Sequence, residues 1–322
     1  MNWQWIRHGK IFTPGEFVLN GQPGLFAQSP QTLVFETFIR IYFSTRTPDP
    51  HNGKYISHVA YVDMDKTLQK VLATNQQPVI CQGEKGCFDE HGIFPFNVVP
   101  YKNKVMAFTT GWNRRVSVSV DTAIGLATSQ DAGKTFQRFG QGPVMAASQY
   151  EPCLVADAFV KVINDTFHMW YIFGTGWKQY APDSPPDRTY KIGYAQSADG
   201  IEWHRQQANQ IIPDRLGPQE SQALPTVAHF GGLFHLFFCY RESYNFRQAA
   251  GRGYRLGYAF SEDGITWTRD DTKVPALGET GEWDDEMQCY PHIFECEGHL
   301  YLLYNGNDFG RDGFGLAELK LS

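Results

Sequence analysis

The sequence predicts an all-β protein, a five-bladed β-propeller with four-stranded blades, spanning residues 1–322 as a single domain. Three observations predict it. One phrase recurs along the chain, an aromatic-x-basic signature follows each recurrence, and strand-type alternation runs throughout without a convincing amphipathic helix. The phrase reads Gly125-Leu126-Ala127-Thr128-Ser129-Gln130-Asp131, then Gly193-Tyr194-Ala195-Gln196-Ser197-Ala198-Asp199-Gly200. It returns as Gly257-Tyr258-Ala259-Phe260-Ser261-Glu262-Asp263-Gly264 and, truncated, as Gly315-Leu316-Ala317. Each copy is a strand running into a tight turn, where Asp-Gly supplies positive φ angles.

From the N-terminus onward, Trp5-Ile6-Arg7 comes first and Leu68-Gln69-Lys70 is a weak second copy of the signature. Phe136-Gln137-Arg138, Trp203-His204-Arg205 and Trp267-Thr268-Arg269 follow at nearly even intervals. Each full unit also carries an inner hairpin. Phe96–Val99 turns at Asn103 into Val105–Phe108, and Phe159–Ile163 turns at Asn164-Asp165 into Phe167–Tyr171. Phe230-Gly231-Gly232 and Glu297-Gly298 turn the last two. Four strands per unit and five units lie within the usual propeller range. The final unit stops after Gly315-Leu316-Ala317 without an outer strand, and Trp5-Ile6-Arg7 has the missing pattern. The N-terminal strand is therefore expected to close the last blade, removing an open sheet edge.

A net charge of -6 with no run of Lys or Arg argues against nucleic acid and anionic membranes as partners. No stretch approaches the apolar length of a membrane span. The first eight residues lack a signal-peptide pattern, and six scattered cysteines form no Cys-x-x-Cys pair. Together these give the expectation of a cytoplasmic protein. Oligomeric state is left open.

Aligning the units on the residue entering the innermost strand gives a second pattern, Glu, four residues, then Pro or Ala. It occurs at Glu90–Pro95, Glu151–Ala156, Glu220–Pro225 and Glu286–Pro291, while the first unit has Leu25 with Gln28-Ser29-Pro30. Innermost strands line a propeller's funnel, so Glu90, Glu151, Glu220 and Glu286 are expected to converge on one mouth, with Asp89, Asp157 and Asp285 nearby. Crowded carboxylates raise one another's pKa and suit acid–base work of the kind glycoside hydrolysis needs. The alternative is that these acids cap strands or bond neighbouring backbone. Arg46, Trp112, Trp177, Arg241 and Asn305 stand at the far ends of second strands and are candidate sugar contacts, through ring stacking and hydrogen bonds to hydroxyls. Arg241 has Glu242 beside it as an alternative partner. His292 is the one candidate for a channel metal, although a lone His is more often structural.

The Ser-x-Asp-Gly-x-x-Trp turns, Phe167-His168-Met169-Trp170-Tyr171 and Phe88-Asp89-Glu90-His91-Gly92 resemble the five-bladed propeller glycosidases, glycoside hydrolase family 43 with relatives in families 32 and 130. The resemblance implies an Asp base from the first blade, a pKa-tuning Asp from the second, a Glu acid from the third and inverting hydrolysis. It implies no required cofactor, with a structural calcium in the channel common among such proteins. Asp89 or Glu90 matches the second-blade acid, and Glu151 or Glu220 the donor. The sequence departs from the pattern at Gln28-Ser29-Pro30, where no Asp opens the first blade. The expected ligand is a carbohydrate and the expected activity glycoside hydrolysis. A phosphorylase-like variant, with phosphate on Arg46 or Arg241, and a non-catalytic sugar-binding or scaffold propeller remain as alternatives.

Overall fold

Among the described residues, twenty strands form five four-stranded antiparallel sheets, and a two-stranded hairpin (Val18–Leu19 with Gln22–Pro23) lies between the terminal strand and the first sheet. The computed structural model describes residues 3–49, 51–247, 249 and 251–321. Blade 1 runs outward as Gln28–Val34, Ile39–Pro48, Tyr55–Met64 and Val71–Thr74. Blade 2 comprises Ile93–Tyr101, Lys104–Arg114, Val120–Ser129 and Gln137–Arg138. Blade 3 comprises Val155–Ile163, Thr166–Lys178, Asp187–Ser197 and His204–Arg205. Blade 4 comprises Glu220–Phe230, Leu233–Glu242, Arg255–Ser261 and Thr268–Arg269. Blade 5 takes Cys289–Cys296, His299–Asn305 and Phe314–Leu321 from the end of the sequence and its outer strand, Trp3–Phe12, from the beginning. Trp5 pairs with Leu319 and Arg7 with Ala317, so the terminal strand closes the ring as expected.

The repeated phrase has a physical origin in this arrangement. Its Ala pairs across the ladder with the Arg of the signature, as Ala127 with Arg138, Ala195 with Arg205, Ala259 with Arg269 and Ala317 with Arg7. The aromatic two residues before that Arg packs on the preceding blade. Phe136 meets Tyr42, Trp203 meets Phe108, Trp267 meets Trp170 and Trp5 meets Phe237, with centroids 5.9, 5.7, 6.4 and 5.8 Å apart. The signature is thus a knob between blades; Phe136 and Trp267 are buried, at about 1.5–3 kcal/mol for a ring taken fully out of water, while Trp5 and Trp203 are half-buried. The Ser of each turn is spent locally: Ser197 and Ser261 hydroxyls donate to Asp199 and Asp263, and accept the Gly200 and Gly264 N–H groups. The same blade-to-blade logic runs along the channel. The Asn97 side-chain carbonyl accepts from Val160 N–H, the Thr226 hydroxyl from Ile293 N–H and the His292 Nε2 from Thr32 N–H.

Candidate functional site

Every inner strand breaks register near its start, between Gln28 and Gln31, Ile93 and Phe96, Ala156 and Phe159, Ala223 and Thr226, and Cys289 and His292. A bulge re-aims one side chain away from the sheet. Ser29, Asp157, Leu224 and Tyr290 take left-handed backbone there, with φ of 54°, 55°, 48° and 55°. Non-glycine residues held in this region are uncommon and mark sites where surrounding structure enforces them. Pro30, Pro95, Pro225 and Pro291 follow the bulge, and Ala158 takes that place in blade 3. Phe94, Asp157, Leu224 and Tyr290 thereby form the floor of a cavity of about 350 Å³ on the face where inner strands begin.

Asp157 is the carboxylic acid among the residues lining this cavity. Its backbone N–H donates to the Thr110 hydroxyl at 2.7 Å, and its Oδ2 accepts the Leu224 N–H at 3.2 Å. Burial pushes the carboxyl up to about 7, opposed by the Leu224 hydrogen bond and by the charge of Arg188. A carboxyl with that value is partly protonated near neutrality, which a plain surface aspartate is not.

The walls are cationic and aromatic. Arg46 lies 5.0 Å over Phe26, Arg188 lies 5.4 Å over Trp177, and Arg247 at the rim lies 4.3 Å over Phe246. Trp112, Tyr55, Tyr190 and Tyr254 complete the lining. Burial lowers Arg46 from the ordinary guanidinium value, and the Arg247 charge pushes it further the same way. Arg241 lies behind the wall. It is buried, donating to the Tyr190 hydroxyl at 2.8 Å and to the Glu242 and Ser243 carbonyls, with its guanidinium 3.5 Å from the Phe246 centroid. It positions Tyr190 and is not available to a ligand.

The expected ring of glutamates does not converge on the cavity. Glu151 is buried and accepts from Arg205 at 2.7 Å, from the Tyr171 hydroxyl at 2.6 Å and from Ala208 N–H at 3.1 Å. Glu220 is fully buried and accepts from Arg269 at 2.6 Å and from the N–H groups of Arg215 and Leu216. Asp89 pairs with Arg138, and Asp284 with Arg7 at 2.8 Å. These acids form one repeated clamp: the acid where the chain enters a blade holds the Arg of that same blade's outer strand, and each pair ties the entry to the sheet. Asp89 and Asp284 occupy the places expected of Glu90 and Glu286. Glu90 accepts the Gly86 N–H from a partly exposed position, and Glu286 is exposed. Asp285 closes a local turn by accepting from Gly281 N–H and Asn307, and does not line the cavity.

Of the expected sugar contacts, Arg46 and Trp112 line the cavity, and Trp177 is the platform under Arg188. Asn305 is buried, accepting from Ser29 N–H and donating to the Ala27 and Gly313 carbonyls, and so sews blade 5 to blade 1. His292 does not fit a channel calcium. Its Nε2 is taken by Thr32, its ring lies between Phe159 and Phe294, and Lys161 adds a positive charge nearby, where calcium needs oxygen ligands. No cluster of three His, Cys, Asp or Glu suited to a metal occurs among the described residues. Sequence reasoning named Asp157 but missed Arg188, Arg247 and the bulge residues Phe94, Leu224 and Tyr290. The signal for the bulges was an X-Pro pair at the start of four inner strands.

No family model matches the chain. It is 31% identical over 318 residues to the uncharacterized proteins MT1551 and Rv1502 of Mycobacterium tuberculosis (strains CDC 1551 / Oshkosh and ATCC 25618 / H37Rv), covering 98% of this chain and 99% of each relative. Among solved structures it resembles BT0996 in an RGII complex (TM-score 0.70, 15% identity, 98% of this chain and 91% of that protein). It also resembles a thermostable family-43 glycoside hydrolase (TM-score 0.62, 14% identity, 91% and 88%). A third neighbour is a GH130 structure from a family of mannoside phosphorylases containing glycoside hydrolases (TM-score 0.63, 14% identity, 97% and 89%). At these identities the likeness establishes the fold, a five-bladed propeller of the kind glycoside hydrolases use.

Proposed function

We propose that this chain, which belongs to the family of the Mycobacterium tuberculosis proteins MT1551 and Rv1502, binds a glycan in the mouth cavity and cleaves a glycosidic bond there with Asp157 as proton donor. The observation that carries this reading is the placement of one buried carboxyl, held up to about 7, on the floor of an aromatic-walled cavity of about 350 Å³. Asp157 gives its proton to the leaving glycosidic oxygen as the bond to the anomeric carbon breaks. Water forms the new bond to that carbon, and the proton it releases returns to the carboxylate through solvent. Trp112 and the tyrosines offer ring faces and hydroxyls to the sugar. The six unpaired cysteines support a reducing compartment, in keeping with a cytoplasmic protein.

A second reading, binding without cleavage, is favoured by one observation: among the described residues, no carboxyl besides Asp157 lines the cavity. Two-carboxylate hydrolysis places its pair about 5–9.5 Å apart. The two readings separate by incubating the full chain with aryl glycosides and oligosaccharides while titrating the same sugars calorimetrically. Product supports cleavage. Binding without product supports the second reading, and neither binding nor product rejects both.

A further inference from the structure

The cavity is strongly positive in a chain of net charge -6. Arg46, Arg188 and Arg247 all line it, and none forms an ion pair with a carboxylate among the described residues. Among those residues, the one side-chain hydrogen bond that any of the three gives is long, 3.3 Å from Arg188 to the Ser119 hydroxyl. They are close enough to feel one another, since the Arg247 charge acts on Arg46 and the Arg188 charge on Arg247. The arginines of the blade clamps are the opposite case. Arg269, Arg205 and Arg7 each hold an acid. Keeping three like charges around one cavity is costly, and its described lining supplies no acid to offset it beyond Asp157.

Each guanidinium is also pre-set. Aromatic faces lie beneath Arg46, Arg188 and Arg247, a contact that fixes the plane of the fork and leaves its N–H groups free at the edge. One such fork satisfies the two oxygens of a carboxylate. Three forks around a small cavity offer more donors than a carboxylate accepts, and match the three terminal oxygens and double charge of a phosphate monoester. We propose that the glycan bound here carries a phosphoryl group, and that Arg46, Arg188 and Arg247 recognise it. This rests on the carbohydrate reading above and deepens it: the sugar lies over Asp157 and Trp112, its phosphate among the arginines.

The test is calorimetric titration of the full chain with glucose 1-phosphate, glucose 6-phosphate, glucuronate, glucose and inorganic phosphate, at low salt and at about 1 M NaCl, where the screening length falls to about 3 Å. At least one sugar phosphate is expected to bind ~10-fold or more tighter than glucose and glucuronate, and the preference is expected to shrink at high salt. Arg46→Met, Arg188→Met and Arg247→Met are each expected to weaken that binding by ~10-fold or more, with Arg188→Lys intermediate because it keeps charge and loses the fork. Melting temperatures of these variants should hold or rise, since each removal relieves repulsion. No binding of any phosphate probe at millimolar concentration overturns the proposal. So does affinity for a sugar phosphate that the arginine variants leave unchanged. Neutral sugars or oligosaccharides bound as tightly as sugar phosphates would overturn the phosphoryl group and leave the carbohydrate reading standing. Inorganic phosphate bound as tightly as every sugar phosphate, with no glycan bound at all, would overturn the carbohydrate reading and leave only an anion site.

Discussion

Asp157 and Glu220 show how differently two buried acids are used. Glu220 has an Arg and two backbone N–H groups on its oxygens, while Asp157 has one N–H on Oδ2 and faces the cavity. Asp157 also carries a pH signature. An aspartate with an ordinary value of 3.8 in the unfolded chain and about 7 in the folded one binds its proton more tightly when folded. Between these values the folded state holds the extra proton, so its contribution to stability falls as pH rises through that window and levels off above it. Asp157→Asn has no such slope. Its stability relative to the parent should be smallest near pH 4 and grow toward pH 8, reaching on the order of 4 kcal/mol at most. Denaturant titrations at four pH values check this, and a difference independent of pH would place the Asp157 carboxyl in water.

At the scale of elements, the outer-strand Arg and the acid of the leading loop act as a latch across each of blades 2 to 5. Removing one member of a buried pair strands the other's charge, at a typical cost of about 3–5 kcal/mol. Glu220→Gln is expected to lose stability on that scale, read as a drop in denaturation midpoint, because Arg269 is only 7% exposed. A midpoint equal to the parent's would remove the latch. The strands themselves were legible in the sequence because the Gly-x-Ala phrase and the aromatic-x-Arg signature are the two sides of one ladder. The site was not legible in the same way. Counting a fixed interval from Glu to Pro assumed leading loops of equal length, yet Glu220 stands four residues before its bulge at Leu224 while Glu151 stands six before Asp157. Blade 3 also replaces the marker proline with Ala158, so the alignment slipped in the one blade that carries the cavity's acid. Arg188 and Arg247 lie toward the mouth, where no repeat constrains the sequence.

For the whole molecule, the ring depends on its first strand. Trp3 packs among Phe230, His235 and Tyr258, Trp5 donates to the Lys273 carbonyl at 2.8 Å, and Arg7 latches Asp284. Deleting residues 1–10 would strip these contacts and expose the edge of Phe314–Leu321. The truncated protein is expected to melt far below the parent or to aggregate, and an unchanged melting temperature would contradict closure by this strand. Ring closure is also what brings the bulges of separate blades to one floor, so the cavity is a property of the assembled ring. The account of that cavity turns on one acid. The most direct test is the turnover of Asp157→Asn and Glu220→Gln side by side, per folded molecule, on a glycoside that the parent cleaves. Loss of ~10²-fold or more in the Asp157 variant, the low end for general acid catalysis, with the rate retained in the Glu220 variant, is the expected result. An Asp157 variant with full activity, or a folded Glu220 variant without it, would contradict the assignment.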